Sequence, residues 1–314
     1  MTNTQKTPIP VPTGGPSKTW DHRDLYDNVI SALYALPSRF QSPLVIEGVP
    51  ASDLFTMNTP LGAAIEASVV TCLNDLRVLW DPKNKYTAYS FVRQSQTFPD
   101  VLLRSNDPRS IEPILMGIEL KGWFAVAKEG EPSFRYFASA ACCAPQDLLI
   151  VVPWVFDSVV SGKPRLLSPI VVEAAHAACM RNYHWEFIRR VRDASVDRGV
   201  TIARHTGFYP AKNDQYSDQA NSDAGKNFGR VARCGVMDSE VDERLREQLL
   251  GIPIDAWRRF LQIFAEGSSE SEADAKLRKL EDALAKIGGS QNQLEASASY
   301  LEQLAEAIRC VIST

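Results

Sequence analysis

Three β-rich segments in a row constrain this chain more than any other feature: YTAYSFV (86–92), FPDVLLR (98–104) and PILMGIELKGW (113–123). Each is short and dense in β-branched or aromatic residues, and the second and third are split by the turn cluster SNDPRS. Adjacent strands of one sheet are the economical reading. Ahead of them runs a helical pattern with Ile65, Val69, Cys72, Leu73, Leu76 and Leu79 on one stripe. Thr59 is its expected cap, Pro60 its first helical position, and Asp81-Pro82 its end near Trp80.

Downstream, FRYFASAACC (134–143) is expected as a helix and DLLIVVPWVF (147–156) as a buried strand. Pro169 to about Asp193 reads as a further helix. Upstream, Asp24 to Leu36 has helical spacing and SPLVIEGVP (42–50) is strand-like or extended. The order helix, three strands, helix, strand predicts an α/β fold with a mixed central sheet flanked by helices. Residues 1–19, rich in Pro, Thr, Gly and Ser, are expected as a flexible or draped arm, residues 20–236 as the core, and residues 237–314 as an added C-terminal helical region. The last two helices of that region, separated by Gly288-Gly289-Ser290, read as a hairpin carrying Leu280, Leu284, Ile287, Leu294, Leu301, Leu304 and Ile308.

Composition enters by exclusion. With 45% apolar and 23% charged residues the chain reads as a folded body, and no apolar run is long enough for a membrane span. No secretory pattern opens the sequence, so the cytoplasm is the expected location. The six cysteines form no CxxC pair and the four histidines no HxxxH spacing, which argues against a zinc hydrolase. Net charge is −4, yet residues 181–233 hold ten Lys/Arg against six Asp/Glu, while residues 266–314 hold five against nine. A basic middle still permits a nucleic-acid face.

The chemistry gathers on the last two of the three strands. Alternation along GIELKGW puts Glu119 and Lys121 on one face and Ile118 and Leu120 on the other. Asp100, following Pro99 on the neighbouring strand, can bring its carboxylate beside Glu119. Paired carboxylates with one lysine suit a hard divalent cation such as Mg²⁺, which polarises a phosphate and acidifies water. The plain alternatives are a solvent-facing Glu119/Lys121 pair, an aspartate that merely begins a strand, and a Glu66 that only borders the apolar stripe. Apolar neighbours Met116, Ile118, Leu120, Trp123 and Phe124 argue for a buried strand, where charges need a reason.

Pro99-Asp100 and Glu119-Leu120-Lys121, nineteen residues apart between the two acids, resemble the PD-(D/E)xK nuclease superfamily and, within it, type II restriction endonucleases. The motif resemblance spans about residues 59–160. It implies a restriction endonuclease-like fold, Mg²⁺ held by Asp100 and Glu119 with Glu66 from the preceding helix, and Lys121 orienting or deprotonating the attacking water. The implied function is a homodimeric, sequence-specific endonuclease that cuts double-stranded DNA to leave 5′-phosphate ends. A repair or structure-selective nuclease, or a DNA-binding protein without chemistry, are the alternatives. Candidate DNA contacts are Arg181, Arg189 and Arg192 on the expected helix, and Arg204, Lys212, Asn213, Gln215, Lys226, Asn227 and Arg230 in the polar stretch 204–235. The C-terminal hairpin is a candidate dimer contact, with packing inside one chain as the alternative.

Overall fold

Leu25, Val29, Leu33 and Leu36 recur at helical spacing and are fully buried, so the first helix, α1 (Arg23–Arg39), lays one stripe on the core. The computed structural model describes residues 7–47, 58–94, 97–189, 196–223 and 227–265, with 275 and 278. SPLVIEGVP contributes a single bridge, Ile46 to Gly162, in place of a strand. Helix α2 (Asn58–Asp75) begins one residue before the expected Thr59 cap. It also stops early. The chain breaks at Leu76 and resumes as the single turn α3 (Arg77–Trp80), which turns Leu79 outward, while Trp80 folds back and donates its indole N–H to Leu73 O at 2.8 Å.

The three expected strands form β1 (Tyr89–Arg93), β2 (Val101–Ser105) and β3 (Ile114–Phe124), an antiparallel meander. Asn74 ties α2 to this sheet by bonding both the N–H and the C=O of Phe91 at 2.9 Å. Strand β4 (Leu148–Phe156) lies parallel to β3 and is buried along its whole length, as its unbroken apolar run predicts. Its other edge is shared by two antiparallel strands, β5 (Pro164–Leu166) against Trp154–Phe156 and β6 (Ile170–Glu173) against Leu148–Val151. Pro153 falls in the gap between them, where a missing N–H costs no ladder bond.

Two expected helices are corrected. FRYFASAACC is extended apart from a 3₁₀ turn at Ala140–Cys142, so the β3-to-β4 crossover carries no α-helix. The segment from Pro169 begins as β6, because Ile170 and Val172 pair with β4, and only then becomes α4 (Ala174–Tyr183) and a π turn (His184–Ile188). Strands β7 (Val200–Thr201) and β8 (Gln219–Ala220) pin the ends of a long irregular excursion.

Helix α5 (Asp238–Arg246), the short ribbon β9 (Gln248–Leu249) with β10 (Ile252–Pro253), and α6 (Ile254–Ala265) follow. Their Val241, Leu249, Ile252, Trp257, Phe260 and Leu261 join the same hydrophobic core as the sheet. The hairpin expected around Gly288-Gly289-Ser290 lies outside the described residues. The arm from residue 7 is draped on the body, for Thr13, Gly14 and Gly15 donate backbone N–H groups to the Glu173 carboxylate at 2.7–2.9 Å. The architecture is mixed α/β, and among the described residues no helix is long and apolar enough to cross a membrane.

Candidate active site

Strand β2 begins at Val101, opposite Ile118, whereas β3 runs on to Phe124. Beyond Ile118, among the described residues, β3 pairs only with β4 and no strand lies beside its other edge. Buried edge amides need acceptors. Two carboxylates supply them: Leu120 N–H donates to Asp100 Oδ2 at 3.2 Å and Gly122 N–H to Glu66 Oε1 at 2.9 Å. The site thus grows from a strand that outruns its neighbour.

Two glycines allow the close approach. A Cβ on Gly117 would lie 2.3 Å from Pro99 Cγ, so only glycine lets the cis Phe98-Pro99 segment rest on β3 and carry Asp100 into place. A Cβ on Gly122 would lie 3.3 Å from Gly62 Cα, so α2 and β3 meet backbone to backbone. Glu66 stands one turn after Gly62 and reaches across that contact. Both glycines flank the ExK triplet and their signal was in the sequence, since glycine inside a strand marks a close approach.

On the opposite face of β3, Lys121 Nζ lies 2.8 Å from Asp100 Oδ2 and 2.8 Å from Glu119 Oε1. Asp100 N–H donates to Glu119 Oε2 at 3.2 Å. Ile118 and Leu120 face away into the core, as the alternation predicts. Burial lifts the Glu119 carboxyl to about 7, Lys121 opposing the shift and Asp100 adding to it. Burial also lifts Glu66, against the pull of the Gly122 N–H and the Lys121 charge. Lys121 is itself largely desolvated, yet the charges of Glu119 and Asp100 outweigh that and keep its ammonium protonated above the usual lysine range.

Asp100, Glu119, Lys121 and Glu66 therefore come together, with Tyr216 close enough for the Glu119 and Asp100 charges to add to the upward push of burial on its phenol. Among the described residues no group of three or more His, Cys, Asp or Glu gathers as a ready metal cage. The donor set is two carboxylates bridged by a lysine, with a third on the adjoining edge. These are hard oxygen donors, the type that Mg²⁺ takes alongside water.

The expected DNA contacts scatter. Arg181 is 1% exposed and serves the fold: its guanidinium pairs with buried Asp218 and donates to Tyr136 O at 2.9 Å and Ala138 O at 3.0 Å. It cannot reach a duplex. Arg204, Lys212, Asn213 and Gln215 are exposed on the irregular excursion. Arg189, Asn227 and Arg230 line a separate pocket. Arg192 and Lys226 lie outside the described residues.

Asp147 belongs to none of the sequence motifs above. It is buried at the foot of β4 and accepts from Gly117 N–H, Ala144 N–H and the Tyr209 hydroxyl. Comparison with protein-family models, curated proteins and solved structures finds no match for this chain.

Proposed function

We propose that this protein is a divalent-metal-dependent endonuclease with a restriction endonuclease-like core, cutting double-stranded DNA as a homodimer at a specific site. The observation that carries the reading is Lys121 Nζ at 2.8 Å from both Asp100, just ahead of β2, and Glu119 on β3. A half-buried lysine that holds two acids together is a poor stability device, because desolvation offsets the attraction. It is a good device for keeping oxygen ligands and a cation poised at one point.

Asp100 and Glu119 would hold Mg²⁺, with Glu66 at its margin. When bound, the ion supplies Lewis acidity to a phosphate oxygen and a more acidic water. The chain does the rest. Lys121, kept as an ammonium by its neighbours, donates to the attacking water or a phosphate oxygen and neutralises charge developing on phosphorus. Water attacks phosphorus and gives up a proton to solvent, the P–O bond to the 3′ oxygen breaks, and that oxygen takes a proton from solvent, leaving a 3′-hydroxyl and a 5′-phosphate. Asp100 orients Lys121 and fixes β3 through the Leu120 N–H. Exposed Arg204 and Lys212 are candidates for backbone phosphate contacts.

A second reading, a DNA-binding protein without chemistry, is favoured by the closed state of the cluster, since Lys121 already satisfies both acids. Plasmid digestion with Mg²⁺ separates the two. The nuclease reading expects discrete bands from wild type, with Asp100→Ala and Lys121→Ala each losing cleavage by at least about a thousandfold, about 4 kcal/mol of barrier, while still retarding DNA in a gel. Cleavage by Asp100→Ala at the wild-type rate sinks the site assignment. Retardation with no cleavage by any form favours the second reading.

A further inference from the structure

At the end of α4 the backbone widens into the π turn His184–Ile188, a rare form that recurs at functional sites. The turn sets His184, Trp185 and the following Arg189 around a pocket of about 200 Å³, closed by Asn227, Arg230 and Arg233. None of Asp100, Glu119, Lys121 or Glu66 lines it, and neither does any other acid among the described residues. Four arginines do. Such a field leaves a mark on His184: burial first, then the Arg189 charge, hold its pKa below the usual value.

Three of these arginines are engaged by the fold, Arg189 by stacking its guanidinium 3.9 Å from the centre of the Trp185 ring. Arg181 is matched by Asp218 and Arg233 by Glu131. Arg230 Nε is buried with no hydrogen-bond partner, and so is the indole Nε1 of Trp185, a residue only 3% exposed. Both groups are donors alone, unable to accept a bond. Two unpaired buried donors on residues that line one pocket free of acids among the described residues call for a ligand that only accepts. Usual small-molecule sites run to roughly 300–1,000 Å³, so this smaller space suits a tetrahedral oxyanion better than a whole nucleotide.

We propose that this pocket binds a terminal phosphate group, taking its oxygens on Arg230 and the Trp185 indole N–H. The group can be the 5′-phosphate at a nucleic-acid end or free inorganic phosphate; the recognition chemistry is the same. The inference stands apart from the nuclease reading, because the two sites share no residue.

Calorimetric titration of the full chain tests it with inorganic phosphate, with a 5′-phosphorylated thymidine tetranucleotide and with its 5′-hydroxyl counterpart. Saturable binding of inorganic phosphate or of the phosphorylated oligonucleotide is expected, weakened at least tenfold in Arg230→Gln. Preference for the phosphorylated over the hydroxyl oligonucleotide identifies a nucleic-acid end as the source, and binding of inorganic phosphate alone identifies the free ion. Binding of neither ligand, or equal affinity in folded Arg230→Gln, overturns the proposal. A readout on wild type covers the case of a misfolded variant. Phosphate at equal ionic strength should protect Arg230, but not exposed Arg109, from phenylglyoxal, as read by peptide mass mapping. Equal modification of Arg230 with and without phosphate overturns the proposal as well.

Discussion

Single residues in this protein carry charge into places where water does not follow. Asp147 is the plainest case. Burial lifts its carboxyl to about 7, and the bonds from Ala144, Gly117 and Tyr209 recover only part of that shift. A carboxyl whose folded pKa is raised holds its proton more tightly when folded. The stability this gives is fully present below the unfolded value and is lost as pH rises through about 7. Calorimetric melting should therefore show a lower Tm at pH 8 than at pH 5.5. Asp147→Asn should flatten that slope while costing about 1–3 kcal/mol, because one amide edge must face the Ala144 N–H. A Tm that climbs across this window would mean the three hydrogen bonds outweigh burial.

Among elements, the contact of α2 with β3 decides where Glu66 stands. It is made of two glycines, so no side chain can cushion an intruding atom. Gly122→Ala places a methyl group 3.3 Å from Gly62 Cα, and α2 has to shift. The expected loss is about 1–3 kcal/mol in urea denaturation. Plasmid cleavage should fall further than stability alone explains, because Glu66 leaves the Gly122 N–H. Unchanged cleavage in this variant would remove Glu66 from the site. The same contact explains the partial legibility of α2. Its apolar stripe is a local pattern, whereas its end at Asp75 depends on Trp80 folding back to Leu73 O, a contact that periodicity does not encode.

At the scale of the whole molecule, Arg181 and Asp218 join three regions that no motif connects. Arg181 bonds the crossover at Tyr136 and Ala138, and Asp218 bonds the Ala203 N–H and takes the Phe137 carbonyl through its own N–H. Arg181→Met leaves the Asp218 charge buried and unpaired, which should cost about 3–5 kcal/mol of global stability by denaturant unfolding. A loss below 1 kcal/mol would show that water reaches Asp218. Replacing both residues with apolar ones should recover much of the loss, because the penalty comes from the stranded charge.

The amino-acid sequence by itself determined what depends on near neighbours. Strand alternation fixed the faces of Glu119 and Lys121, an unbroken apolar run marked β4 as a central strand, and the turn between β2 and β3 brought Asp100 beside Glu119. A hairpin is a local object, so its pairing can be read along the chain. Tertiary structure alone decided the remainder. The β3-to-β4 crossover proved extended because Tyr136, Ala138 and Ser139 are held by partners beyond residue 180: Gly229, Arg181 and Tyr216. Ile170 and Val172 went to a strand because β4 had an open edge to offer. Arginine 181 looked like a surface cation because helical spacing says which residues share a face, not whether a buried Asp218 waits on the other side. Partners distant in sequence leave no local pattern, and they set the final geometry here.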